Sequence, residues 1–171
     1  MSQNVVTPLG CAVILALWTG YATAQDFSGC EKFAWLLKRE QAWFSASGKA
    51  SVKSGATIEI IPNSAIVIAL EPASLVKLAM PPERRASEGF GGSLSFPAVE
   101  QPGLYQITTS DDAWIDVIQD SQYAKSIGST GRRDCPGLRK SVRFFLRQAP
   151  FILQLSGVVS ETIIVAVSSA D

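Results

Sequence analysis

The chain has 171 residues, with 15 Lys or Arg balanced by 15 Asp or Glu and no histidine, so its net charge at neutral pH is zero. That balance excludes a general nucleic-acid binder, which needs a basic surplus. With 47% apolar and 18% charged residues it lacks the profile of a disordered chain, and its length suits one domain.

Residues 11–18, CAVILALW, form an apolar run too short to span a bilayer as a helix. Ala22-Thr23-Ala24 follows in the A-x-A form of a cleavage site. Residues 1–24 therefore read as a secretory signal peptide cut between Ala24 and Gln25. The opening MSQNVVTPLG holds no Lys or Arg, and a short uncleaved anchor is the alternative. Cleavage leaves 25–171 as one periplasmic or secreted domain with no transmembrane span, a helix within 25–48 and β-structure over 49–171.

Cleavage also removes Cys11 and leaves Cys30 and Cys135. An even count in an exported chain points to a disulfide. Closing a loop of about 100 residues is worth up to about 4.7 kcal/mol in the chain-entropy model. The rival is a reactive thiolate at Cys135 activated by Arg132, Arg133 and Arg139. It needs a base or a resolving partner, and without histidine the staple is the better reading.

Ser28-Gly29-Cys30-Glu31 has the form of a capping box, which starts a helix near residue 29. Cys30, Phe33, Ala34, Leu37 and Phe44 share one face at helical spacing, with Leu36 and Trp43 beside it. Glu40 points toward that stripe, and Gly48 ends the helix. Beyond residue 49 the period falls to two. Apolar and β-branched runs over 65–70, 75–80, 93–96, 104–109, 114–119, 123–127, 141–147, 151–155 and 162–167 predict strands, separated by Gly, Pro, Asp and Ser. Residues 83–92, ERRASEGFGG, predict a mobile polar loop. Alternation such as Val142/Phe144/Leu146 belongs to antiparallel sheets with one buried face. The expected fold is mainly β: an antiparallel β-sandwich of about seven to nine strands with one N-terminal helix packed on it.

Inventory excludes much chemistry. Without histidine there is no Ser-His or Cys-His triad, no usual catalytic zinc site and no two-His-one-carboxylate iron site. No phosphate-loop, dinucleotide or nucleophile-elbow motif occurs, and no cofactor or metal is expected. Two charge features remain. Asp111, Asp112, Asp116 and Asp120 form an acidic stretch, in which Asp111 and Asp112 suit a turn and Asp116 shares a sheet face with Trp114. Between residues 124 and 147 seven basic residues meet only Asp134. There Arg143 and Arg147 flank Phe145 on the solvent face of one strand, an arrangement that recognises carboxylate or phosphate. Alternatively those arginines pair with Asp116 and Asp120 on a neighbouring strand.

The stretches CEKFAWLLKREQAWF, AMPPERR, GLYQITTSDDAWIDVIQD and SIGSTGRRDCPGLRKSVRFFL resemble a family of small exported proteobacterial proteins, over nearly all of residues 25–171. Some members carry the label homogentisate 1,2-dioxygenase, an aromatic-ring-cleaving enzyme. The resemblance implies an exported protein, and the label implies aromatic-compound breakdown. This chain departs from the label in having no histidine for that enzyme's iron.

The leading functional expectation is a non-catalytic binding or accessory protein of the cell envelope. Its partner would be a small molecule or an envelope protein, facing Trp114, Asp116, Arg139, Arg143 and Phe145. An enzyme would instead bring two of Asp111, Asp112 and Asp116 together in a pocket. A protein-docking module would expose an apolar patch around Trp35.

Overall fold

The computed structural model describes Met1 and residues 28–84 and 88–170. The expected signal peptide, Met1 apart, and the expected cleavage site therefore lie outside the described residues. Among the described residues eleven strands follow a short helical region. They are β1 (Ser51–Lys53), β2 (Ile66–Ala69), β3 (Glu71–Pro72), β4 (Phe90–Phe96), β5 (Gly103–Thr109), β6 (Trp114–Gln119), β7 (Gln122–Tyr123), β8 (Ser126–Gly131), β9 (Lys140–Leu146), β10 (Phe151–Val158) and β11 (Thr162–Ser169).

The strands form two sheets. One runs β1-β2-β11-β5-β9-β8 and the other β3-β4-β10-β6-β7. Period-two alternation sends Ile107, Val142, Phe144 and Val165 of the larger sheet inward against Leu94, Val117, Phe151 and Leu153 of the smaller one, all in one buried cluster. Phe96 and Phe151 stack across the β4–β10 pair with centroids 4.9 Å apart. Fully burying side chains of this size stabilises by about 1.5–3 kcal/mol each, which makes this cluster the main cohesive element. The mainly β expectation holds.

Two details of that expectation are corrected. Eleven strands replace seven to nine, because β1 and β3 are too short to show a period and the expected 123–127 strand divides between the sheets as β7 and β8. The β6–β7 turn is tight, with Asp120 and Ser121 both at positive φ, as a two-residue hairpin requires. The pairing is also not wholly antiparallel: β1 runs parallel to β2.

The larger sheet is covered on its outer face too. Cys30, Phe33, Leu37 and Phe44 pack there with Ala65, Leu138 and Ala166 in a second cluster. The long helix expected from residue 29 is broken into a 3-10 turn at Ser28–Lys32 and α1 at Lys38–Ser45. Tertiary partners break it. Cys30 is disulfide-bonded to Cys135, the Ala34 N–H goes to Thr130 Oγ1, and the Trp35 indole N–H goes to Ser141 Oγ. Gly29 must be glycine, since a Cβ there would sit 2.1 Å from the Asp134 carbonyl oxygen. Within the Asp134 loop itself Arg132 forks onto Asp134. Chiefly through that hydrogen bonding the Asp134 pKa falls to about 2.

Glu40, on α1, is 1% exposed. Its carboxylate accepts from Ser168, Gln106 and Arg39. Burial pushes its pKa up, but those donors outweigh burial and hold it below the ordinary value. Glu40 thus pins α1 to β5 and β11 as a fully partnered structural acid.

Candidate functional site

The smaller sheet carries its site on its outer face. Along β6, Ile115 and Val117 turn into the core, which leaves Trp114, Asp116 and Ile118 on the other side. Along β10 the same rule places Ile152, Gln154 and Ser156 outward. Register sets Gln154 opposite both Ser93 and Asp116, and Ser156 opposite Trp114. A face with Gln and Asp would normally meet water, yet Gln154 and Asp116 are buried. Residues 73–84 cross over them as a strap.

The sequence predicts a strand at 75–80, and the structure corrects this: the segment pairs with no strand. Pro81 and Pro82 have no N–H to give a ladder. The Gln154 side-chain amide replaces the ladder instead. It donates to the Met80 carbonyl at 3.1 Å and accepts the Met80 N–H at 3.0 Å. Asp116 accepts the Trp114 indole N–H at 2.7 Å and the Glu83 N–H at 3.3 Å, and the Tyr123 hydroxyl donates to the Pro81 carbonyl. Burial raises the Asp116 pKa; the Trp114 and Glu83 N–H groups oppose that shift and the Glu83 carboxylate adds to it.

Between strap and sheet lies an apolar cleft of about 570 Å³, lined by Val76, Leu78, Met80, Pro82, Phe90 and Ser156. Phe90–Gly92, expected in a mobile loop, instead begins β4. Gly91 there lets the backbone approach closely, since a Cβ would lie 2.8 Å from the Leu155 carbonyl oxygen. A second, smaller cleft of about 210 Å³, which carries charged side chains, adjoins it, lined by Arg84, Asp112, Trp114, Lys140 and Ser156. Lys140 Nζ lies 5.8 Å and the Arg84 guanidinium 5.9 Å from the Trp114 ring centroid. Lys140 donates to the Ala113 carbonyl at 2.6 Å. Burial lowers its pKa, with Asp112 opposing and Arg84 reinforcing the shift.

Ser156 belongs to both clefts. It is 7% exposed, and its hydroxyl is the buried side-chain polar atom that has no hydrogen-bond partner among the described residues. Leaving such a group unpaired costs about 1–3 kcal/mol.

The five expected ligand-facing residues do not converge. Trp114 and Asp116 meet under the strap. Arg139 pairs with Asp112 at 3.5 Å. Arg143 and Phe145 stand on the outer face of the other sheet, where Arg143 stacks 4.3 Å from the Trp35 ring centroid and donates to Gln106. Phe145 is exposed beside Arg147 and Tyr123. Of the expected arginine pairings Arg147–Asp120 forms, at 2.6 Å. Arg143–Asp116 does not, because the two residues lie on different sheets. Asp111 holds its turn by accepting from Ser160 and the Asp112 N–H. Trp35 is half-buried on Arg143 and Ser141 rather than freely exposed.

Sequence reasoning missed Gln154, Ser156, Arg84 and Lys140 as site residues. The only signal was positional: on β10, alternation already put Gln154 and Ser156 on one face. Compared with known proteins, the chain matches no family model, no curated protein and no solved structure. Among the described residues no helix is long and apolar enough to cross a membrane, and the Cys30–Cys135 disulfide points to an oxidising compartment.

Proposed function

We propose that this protein is an exported, disulfide-stapled β-sandwich of the cell envelope that binds a small molecule without transforming it. The observation that carries the reading is the preformed cleft under residues 73–84, apolar over most of its lining, with a few convergent polar groups at one end. Small-molecule sites have that composition and size. The nearby carboxylates support binding over acid–base work, since each already has a structural partner. Asp116 has Trp114 and Glu83, Asp112 has Arg139, and Asp111 has Ser160. Export and cleavage between Ala24 and Gln25 belong to the same proposal, as does membership of the family of small exported proteins. The ring-cleaving activity does not, because the sequence contains no histidine to hold that iron.

Native mass spectrometry of protein recovered from the periplasm, before and after reduction, tests this. The expected species begins at Gln25, gains the two hydrogens of one opened disulfide on reduction, and carries extra mass that leaves on denaturation. A bare chain, or one that is uncleaved and fully reduced, would overturn the proposal.

A further inference from the structure

We infer that the two clefts meeting at Ser156 form one site for an amphipathic carboxylate. Its aliphatic chain or single aromatic ring fills the apolar cleft, and its carboxylate sits between Lys140 and Arg84 and accepts a hydrogen bond from Ser156. This rests on the binding reading and names its ligand class.

Three independent observations converge. First, Ser156 is more than nine-tenths buried, lines both clefts, and has an unpartnered hydroxyl. The hydroxyl oxygen is itself buried where the residue borders both clefts, and a buried hydroxyl without a partner gains most from an acceptor that a ligand brings. Second, the smaller cleft holds two cations and one carboxylate, and that carboxylate, Asp112, is taken by Arg139. Among the described residues neither Lys140 nor Arg84 makes a salt bridge. Both instead lie over the Trp114 ring, 5.9 and 5.8 Å from its centroid. Lys140 commits one of its three donors to Ala113, which leaves two for a ligand. Arg84 offers the planar fork that suits a carboxylate.

Third, the apolar cleft is the larger of the two and shares Ser156 with the cleft that holds the cations. Free phosphate would leave about 570 Å³ of apolar space unfilled, and a neutral hydrocarbon would leave the cations and Ser156 unanswered. A molecule with one anionic head and one apolar body satisfies both halves. No bond is made or broken.

Isothermal titration and 15N NMR on the exported, disulfide-intact protein would test this with octanoate, phenylacetate, octanamide and inorganic phosphate. Octanoate or phenylacetate should bind saturably and shift the Trp114 indole and the Ser156 and Gly157 amides. Octanamide should bind at least tenfold more weakly, and phosphate should not displace the carboxylate. Ser156→Ala, which removes only a group the fold leaves unpaired, should fold normally and weaken octanoate about tenfold; Lys140→Met should do the same or more. Equal affinity for octanamide, unaltered affinity in Ser156→Ala, or shifts mapping elsewhere would overturn the inference. If no probe binds while native mass spectrometry still finds a co-purified small molecule, this ligand class is wrong and the binding reading stands. If the protein is bare as well, both fall.

Discussion

Replacing Gln154 by methionine isolates what holds the strap to the sheet. Gln154 is 1% exposed, and both ends of its amide are spent on the Met80 backbone, at 3.0 and 3.1 Å. Methionine keeps the length and most of the volume, so packing against Ser93 and Asp116 should survive while both hydrogen bonds vanish. At about 0.5–1.5 kcal/mol net per bond, the loss is about 1–3 kcal/mol. Tenfold per 1.4 kcal/mol then makes opening of the strap about 5- to 150-fold more frequent. Amide hydrogen exchange reads this directly, because the Met80 N–H is protected by the Gln154 side chain rather than by a strand. Its exchange should accelerate within that range, and urea unfolding should lose no more than the same free energy. Unchanged exchange at Met80 would refute the idea that a side chain stands in for a missing ladder.

Three further outcomes follow from the helical cap. Replacing Cys30 and Cys135 together by alanine frees a loop closed over a separation of 105 residues. It should cost about 2–4 kcal/mol, seen as a lower melting temperature that reductant no longer changes; an unshifted melting temperature would contradict the staple. Glu40→Gln tests linkage. The folded carboxyl sits below its ordinary pKa, so the stability it adds is complete above the unfolded value near 4.3 and fades as pH falls through the folded one. Urea titrations should therefore show the wild-type advantage at neutral pH shrinking steadily below about pH 5, and a pH-independent difference would rule this out. Gly29→Ala must push the Asp134 carbonyl away from a 2.1 Å clash. It should destabilise by more than the few tenths of a kcal/mol usual for exposed surface changes, measured by chemical denaturation, and should also loosen the Arg132–Asp134 fork.

The strands were legible where one face is buried. Val142/Phe144/Leu146 alternates in the sequence and packs as written, because a pleated strand gives every second side chain to the core. The amphipathic stripe from Cys30 to Phe44 was legible as a buried face in part: Cys30, Phe33, Leu37 and Phe44 do bury, whereas Ala34 and the flanking Leu36 are exposed. Its continuity as one helix was not, because Thr130, Ser141 and Cys135, each about 100 residues away, claim the groups that would have sustained it. At the site, the sharing of a face by Trp114 and Asp116 followed from their spacing of two. Their separation from Arg143 and Phe145 did not, since nothing local says which strand enters which sheet.

Composition and alternation by themselves settled a mainly β chain and a largely buried N-terminal stripe, and three cysteines allowed a bridge. These are local or additive properties, readable without knowing who neighbours whom. Only the tertiary structure decided that residues 75–80 would be a strap and not a strand. It alone joined Gln154 to Met80 across 74 positions and left the Ser156 hydroxyl unpaired between an apolar cleft and two cations. Such placements depend on sheet order and register, which long-range packing selects among many pairings compatible with the same alternation.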